Sequence, residues 1–574
     1  PSPTPSPTRR RRPPPSRRPN GRKVVAYRGY ADEIPGGQQN SGGENGLGPG
    51  TETTDHGTHV AGSCCGGAST AAAAGAGEQG VAYASKISFT DIGPGDAPFL
   101  DVPNDLANNF FNIDYDNGAR IHTNSWGAPV NAYTGNAVGV DEAMYERDDF
   151  VVLFAAGNDG QDNGATVTQG TVGAPGTAKN GITVGATEAT GSNRLCSAQR
   201  PSCRDGNMAV FSSIGPGAGN QYKPDISAPG FWINSAASNS AGDCPVFENA
   251  GTSMACPIVA GATALVRQYF REGWYPSGEK GNNPRIPSGA LMKAMILNSG
   301  QHMGGTYRDL VALGGLGPEA TAIPNIYEGY GRMQLDKVMF FKDTEPGKNA
   351  GDRLMVVDGS EYTITTGEQQ VYDVNTRDSP DNVVKVTLVW TDPPGEPIAN
   401  VPLVNNLDLT VEYNGQTYQG NNQLDTTNTA EQVIVPGTTA GIVKITVKGT
   451  AVTEGPQKYA LVVTGPLDNI SPPPALNAPS PPLPPRPPPT PLADQIALGV
   501  SVPLLVLAGL AGGSFLVKRL RGNKQITAAR KRSLALPAGW TKMIDPATQV
   551  AYYANSLTGQ VQWEPPPGAT EPAD

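Results

Sequence analysis

The sequence predicts a multidomain protein: an α/β parallel sheet with helices on both faces, then an all-β sandwich, then one membrane-crossing α-helix and a small three-stranded β-sheet. Three observations predict it. Lys86 to Ile92, Phe150 to Ala156 and Gly181 to Ala186 are short apolar runs rich in β-branched residues, with helix-like stretches between the first two. Strands alternating with helices make a parallel sheet covered on both faces. Residues 348–466 then carry strand-like runs and turn signals, and residues 496–517 contain no charged residue, enough to span a bilayer core of about 30 Å.

The length of 574 residues exceeds what one core supports, about 250–300 residues. A formal net charge of −10 argues against general nucleic-acid binding. Six cysteines are few, so disulfides do not build the fold. Cys196 and Cys203 flank a short polar loop and can pair in an oxidising compartment. Cys64, Cys65 and Cys256 read as small core residues. No zinc-like spacing occurs, and no metal or other cofactor is expected for the chemistry.

Residues 1–20 are Pro, Ser and Arg in low-complexity order and are expected to be disordered. From Gly21 to residue 342 the chain reads as one globular domain. Lys23 to Tyr27 and Arg120 to Asn124 are further strands, while Asp101 to Gly118 and Gly139 to Arg147 are helical. In such sheets, sites form at the carboxyl ends of strands. Asn158, in Ala155-Ala156-Gly157-Asn158, follows one strand, and Ser125-Trp126-Gly127 follows another.

Gly251-Thr252-Ser253-Met254-Ala255 opens the longest apolar-periodic run. Met254, Ile258, Val259, Ala262, Leu265, Val266 and Tyr269 recur at helical spacing. Ser253 therefore stands at a helix N-terminus, in a field that favours developing negative charge. It reads either as a helix cap or as a nucleophile. A nucleophile needs a base, and two of the four histidines lie in His56-Gly57-Thr58-His59-Val60-Ala61-Gly62. The two motifs together favour nucleophilic catalysis.

These stretches, with Lys223-Pro224-Asp225 and Ala228-Pro229-Gly230, resemble the subtilisin-like serine proteases over about residues 21–342. The resemblance implies that Ser253 is the nucleophile and His56 the general base, with a pKa near neutrality suited to both proton transfers. It implies that Asn158 and the Ser253 N–H hold the oxyanion. Ser125, Trp126 and Gly127, with Ala155, Ala156 and Gly157, would line the substrate, the first three as an edge that pairs with peptide backbone. His59 and Asp225 are expected to be structural. In this family an aspartate in Asp-Thr-Gly or Asp-Ser-Gly, upstream of the histidine, orients the ring. Neither tripeptide precedes His56, and Asp32 and Asp55 are poorly placed for the role. The segment from Gly21 to Asp32 resembles the region that follows this motif, so the orienting aspartate is expected just upstream of this chain.

Gly329-Tyr330-Gly331-Arg332 resembles the end of the catalytic domain in a bacterial alkaline subset that carries a β-jelly-roll next. Val383 to Trp390, Leu407 to Tyr413 and Val443 to Lys448 read as strands, with Asn414-Gly415 as a turn. Asp392, Asn405 and Asp408 either cap turns and strand ends or offer oxygens to a structural calcium.

Residues 467–493 form a Pro-rich stalk after the sequon Asn469-Ile470-Ser471. After the span at 496–517, residues 518–535 carry Lys518, Arg519, Arg521, Lys524, Arg530, Lys531 and Arg532. The positive-inside rule puts the C-terminus in the cytosol and the catalytic domain in a lumen or outside the cell. Residues 536–567, with Trp540, Tyr552-Tyr553, Trp563 and Pro566, resemble a WW domain; 568–574 are a disordered tail. That resemblance implies that Tyr552 and Trp563 line a groove for a proline-rich cytosolic partner. Ser556 stands where the family usually has histidine. The expected activity is a single-pass membrane serine endopeptidase acting on proteins. The alternative is a protease-derived tether that binds protein without cutting it.

Overall fold

The computed structural model describes residues 23–30, 56–67, 79–93, 100–162, 166–189, 206–237, 245–303, 322–342, 353–379 and 383–468, with the strands 540–544, 551–555 and 561–562. Two compact units divide the chain, residues 1–478 and 479–574.

In the first unit the N-terminal half is built on parallel strands. β1 (Val24–Gly29) pairs with β2 (Ile87–Asp91), both running the same way. β3 (Ile121–Asn124), β4 (Val151–Ala155), β5 (Ile182–Thr187) and β6 (Ile226–Pro229) form a second parallel sheet in that order. All residues of β4 and β5 are buried, which is why they read as unbroken apolar runs.

The sequence implies a parallel sheet with helices on both faces, and the described strands form two parallel pieces of such a sheet. Among the described residues β2 and β3 share no ladder. What links them is one buried carboxylate. Asp114 accepts from Ser88 Oγ and Thr90 Oγ1 of β2, each at 2.9 Å, and meets His122 Nε2 of β3 at 3.2 Å. Burial works against this charge, but the His122, Thr90 and Ser88 contacts hold its pKa below the usual carboxylate value.

Five helices pack on these strands: α1 (His56–Cys65), α2 (Ala107–Phe111 π-wound, then Asn112–Asp116), α3 (Gly135–Glu146), α4 (Thr252–Arg271) and α5 (Gly289–Ser299). α2 begins later than Asp101, after an irregular stretch. α3 begins earlier than Gly139, because the Thr134 hydroxyl caps it by accepting from the Ala137 N–H. The short pair β7 (Ile233–Ala236) and β8 (Val246–Asn249) is antiparallel and leans on α1.

The second half is a sandwich. β9 (Arg353–Val357), β10 (Gln369–Thr376), β11 (Val384–Val389), β12 (Asn406–Tyr413), β13 (Gln416–Gln419), β14 (Ala430–Val435), β15 (Gly441–Ala451) and β16 (Ala460–Gly465) make two antiparallel sheets. One runs β9-β16-β11-β14, the other β10-β15-β12-β13. Val386, Leu388, Leu409, Val411, Ile445, Val447 and Val463 meet between them around Trp390. Asn414 and Gly415 both have positive φ, as the β12–β13 turn requires.

The outer face of the first sheet covers α5, and every residue of α5 is buried. Asn298 Nδ2 donates to Thr387 Oγ1 at 3.0 Å, Thr464 Oγ1 donates to Asn298 Oδ1 at 2.8 Å, and Lys385 Nζ donates to Gly300 O at 2.5 Å. Burial, reinforced by Lys337, holds the Lys385 ammonium down at about 8. Between that value and the unfolded value near 10.4 the unfolded chain binds more protons, so this lysine makes stability rise with pH. Comparing urea unfolding of the native chain with Lys385→Met from pH 7.5 to 10.5, the native chain is expected to gain up to about 3 kcal/mol on the variant. A constant difference would contradict the shift.

Asp392, Asn405 and Asp408 make capping contacts at turns and strand ends. Asp392 has no exposure, and its oxygens accept from Lys179 Nζ at 2.5 Å and from the Val404 and Asn405 N–H groups, each at 2.8 Å. Asn405 serves Thr453 and Gln457, and Asp408 takes the Thr450 hydroxyl. A carboxylate already neutralised by a buried lysine is a poor ligand for a second cation.

Among the described residues no helix is long and apolar enough to cross a membrane. The span at 496–517, its stalk and basic flank lie outside those residues, as do Asp32, Cys196, Cys203 and Trp563. In the second unit β17 (Trp540–Ile544), β18 (Ala551–Asn555) and β19 (Val561–Gln562) form an antiparallel three-stranded sheet, and Tyr552 lies on its central strand.

Candidate active site

α4 begins directly after Gly251, whose φ of 156° suits glycine. From Gly251 to Pro257 every residue is buried except Ser253, so the first turn presents one hydroxyl. The serine faces the end of β3. Ser125 Oγ donates to Ser253 O at 2.9 Å, and Ser253 Oγ reaches Ser125 O at 3.4 Å.

Asn158 arrives from the end of β4 through Gly157. Gly157 has φ 107°, and a Cβ there would lie 2.7 Å from Ser213 Oγ. Asn158 Oδ1 accepts from the Thr252 N–H at 2.9 Å and from Thr252 Oγ1 at 3.0 Å. Thr252 Oγ1 in turn accepts from the Gly157 N–H at 3.2 Å. With its oxygen tied to the start of α4, the exposed side chain keeps its NH₂ for another acceptor. Thr252 is the residue that sequence reasoning missed. Its signal was its place in Gly-Thr-Ser, where a threonine can bind a backbone N–H.

His56 is the first residue of α1 and is half-buried. α1 crosses α4 where Gly261 faces Cys64: a Cβ at Gly261 would meet Cys64 O at 2.9 Å. His56 and Ser253 each lie eight residues before that crossing, about 12 Å along either axis. His59 is fully buried, with Nε2 at 2.9 Å from Ile233 O and 3.2 Å from Phe247 O. Burial lowers its pKa, and the two carbonyls only partly compensate. The ring pins β7 and β8 to α1.

Beyond Ser125 the chain leaves the strand and bends at Pro129, where the Val130 N–H donates back to Ala128 O at 2.7 Å. Trp126 packs edge-on against Phe110 and Phe154, Gly127 lies close to Ala174 O, and the Ala128 N–H donates to Ala174 O at 2.8 Å. Residues 127–131 are exposed. Ala155 and Ala156 are buried beneath Gly157. Cys64, Cys65 and Cys256 are buried free cysteines, and burial pushes the Cys256 thiol up to about 12. Asp225 is structural in its contacts. It accepts from the Thr183 N–H at 2.7 Å and pairs with Lys223 at 2.6 Å and Lys293 at 3.3 Å. Burial raises its pKa, but the two lysines prevail and hold it below the usual range.

Residues 33–318 match the subtilase family, and residues 536–566 match the WW domain. The chain is 29% identical over 552 residues to the serine protease/ABC transporter B family protein tagB of Dictyostelium discoideum, and 27% identical over 522 residues to tagD of the same organism. These alignments cover 78% and 71% of this chain, which spans 28% of the length of either relative. Among solved structures, a cold adapted subtilisin-like serine proteinase aligns with 52% of this chain and 80% of its own, at 19% identity and a TM-score of 0.31. The chain thus contains a subtilase domain, matched over residues 33–318, and a WW domain, matched over residues 536–566.

Proposed function

We propose that the chain is a membrane-anchored serine endopeptidase that cleaves proteins through an acyl-enzyme. Ser253 Oγ attacks the scissile carbonyl while His56 takes its proton and then delivers it to the leaving amine. The new oxyanion accepts from the Ser253 N–H, in the first turn of α4 where backbone donors lack helical partners, and from Asn158 Nδ2. The observation that carries this reading is the Thr252–Asn158 contact, which ties the amide oxygen to the residue before Ser253 and keeps the amide NH₂ as a donor beside the start of α4. The orienting carboxylate is assigned to a strand pairing between β2 and β3. Among the described residues no ladder joins β2 to β3, which leaves that place open.

Fluorophosphonate labelling of the full chain is the direct test, with Ser253→Ala as control. Label on the native chain and none on the variant is expected. Equal labelling of both would sink the enzyme reading.

The second half is read as a jelly roll: counted along the chain its strands run 1-8-3-6 and 2-7-4-5, an order that supports two Greek keys closed on each other. Residues 496–517 are read as the anchor, with the protease outside the cytosol, and the WW domain as the hook for a proline-rich cytosolic ligand. Trp563→Ala is expected to abolish retention on immobilised proline-rich peptides. Undiminished retention would remove Tyr552 and Trp563 from the groove.

A further inference from the structure

The exposed run 127–131 leads away from the nucleophile and ends under a loop of the other half of the unit. The Ile398 N–H donates to Tyr133 O at 2.7 Å, and the Gly395 N–H to Tyr133 Oη at 3.1 Å. On the far side a Cβ at Gly219 would collide with Asn400 O and crowd Val401. Loop 391–403 is therefore wedged between the end of the run and the turn at 218–220.

Two of its apolar side chains stay open, Ile398 at 68% exposed and Val401 at 48%, and on the facing run Val130 is 38% exposed. Ile398 also has φ 63°, a conformation rare for a β-branched residue. Such a backbone persists where its surroundings hold it, and outliers of this kind cluster at ligand contacts.

We infer that loop 391–403 forms the outer wall of the substrate groove, where Ile398 takes an apolar side chain of the substrate well before the scissile bond. The inference rests on the protease reading above. The occupant follows from continuity: a peptide paired with Ser125–Gly127 and continued along 128–131 arrives at Ile398. Antiparallel pairing, the commoner kind, places residues N-terminal to the scissile bond on that path. Eight residues with a bend at Pro129 separate Ser125 from Tyr133, so the side chain in question lies at most about eight residues before the cut and beyond the four nearest it. Ile398 thus sets specificity from outside the catalytic half.

The test compares the full chain with Ile398→Asn, a residue that tolerates positive φ and so keeps the loop. Substrates carry either four or ten residues before the cut, the longer with Leu or Asp at the distal positions. For the long Leu peptide kcat/KM is expected to fall about tenfold in the variant, while the four-residue peptide and the fluorophosphonate labelling rate stay unchanged. An equal effect on both lengths, no effect on either, or a dependence confined to residues after the cut would overturn it. If the native chain neither labels nor turns over, the protease reading has failed. Fluorescence anisotropy of the ten-residue peptide on Ser253→Ala, with and without Ile398→Asn, then decides the groove by itself: tighter Leu binding lost in the double variant supports the wall, and equal binding refutes it.

Discussion

Asp392→Ala is expected to destabilise the first unit by about 3–5 kcal/mol. Lys179 and Asp392 are both fully buried, and they come from the two halves of the unit. Removing the carboxylate strands the ammonium with the Pro393 carbonyl and deprives the Val404 and Asn405 N–H groups of their acceptor. Burial alone raises the Asp392 pKa, and the lysine works against that rise without cancelling it. The pair is thus costly to assemble and costlier to break. Replacing both partners, as Lys179→Met with Asp392→Leu, is expected to recover most of the loss, because no charge is then left without a partner. Urea unfolding followed through the buried Trp390 measures both. A single variant within about 1 kcal/mol of the native chain would show that the pair is not buried in solution.

Asn158→Ala is expected to lower kcat about 10²–10³-fold with KM nearly unchanged, the signature of a donor used only in the transition state. Thr252→Val should lose less. It keeps the N–H that Asn158 Oδ1 accepts and removes only the hydroxyl. Steady-state kinetics on one peptide substrate separates the two. If Asn158→Ala raised KM and left kcat alone, the amide would be holding substrate rather than oxyanion.

The parts of the fold legible in the sequence are those whose period survives in one dimension. Phe150 to Ala156 and Gly181 to Ala186 read as buried strands because both faces of that sheet are covered. α4 read as a helix because it buries one face and leaves Ile258, Ala264 and Leu265 partly open. α5 was missed for the opposite reason: all of it is buried, so no 3.6-residue alternation exists to detect. β7 and β8 were missed because they are short, half-buried and rich in polar residues. At the site, Ser253, Asn158 and Ser125 stand in recognisable motifs, and the structure brings them together. Thr252 was visible but silent, since its contact with Asn158 spans 94 residues of chain. The Lys179–Asp392 pair spans 213 residues and joins the two halves of the first unit, and no local pattern marks either residue.

The burial of α5 also bears on how the chain is made. Its cover, the sheet containing β11, β14 and β16, is complete only at Gly465. At roughly 5–20 residues per second, a ribosome that has finished Ser299 needs on the order of 10–30 s more to deliver that cover. Throughout that interval the nascent N-terminal half carries an apolar helix that lies against α4 and the parallel strands on one side and is uncovered on the other. The N-terminal half of the unit therefore completes its burial only after the sandwich has been made.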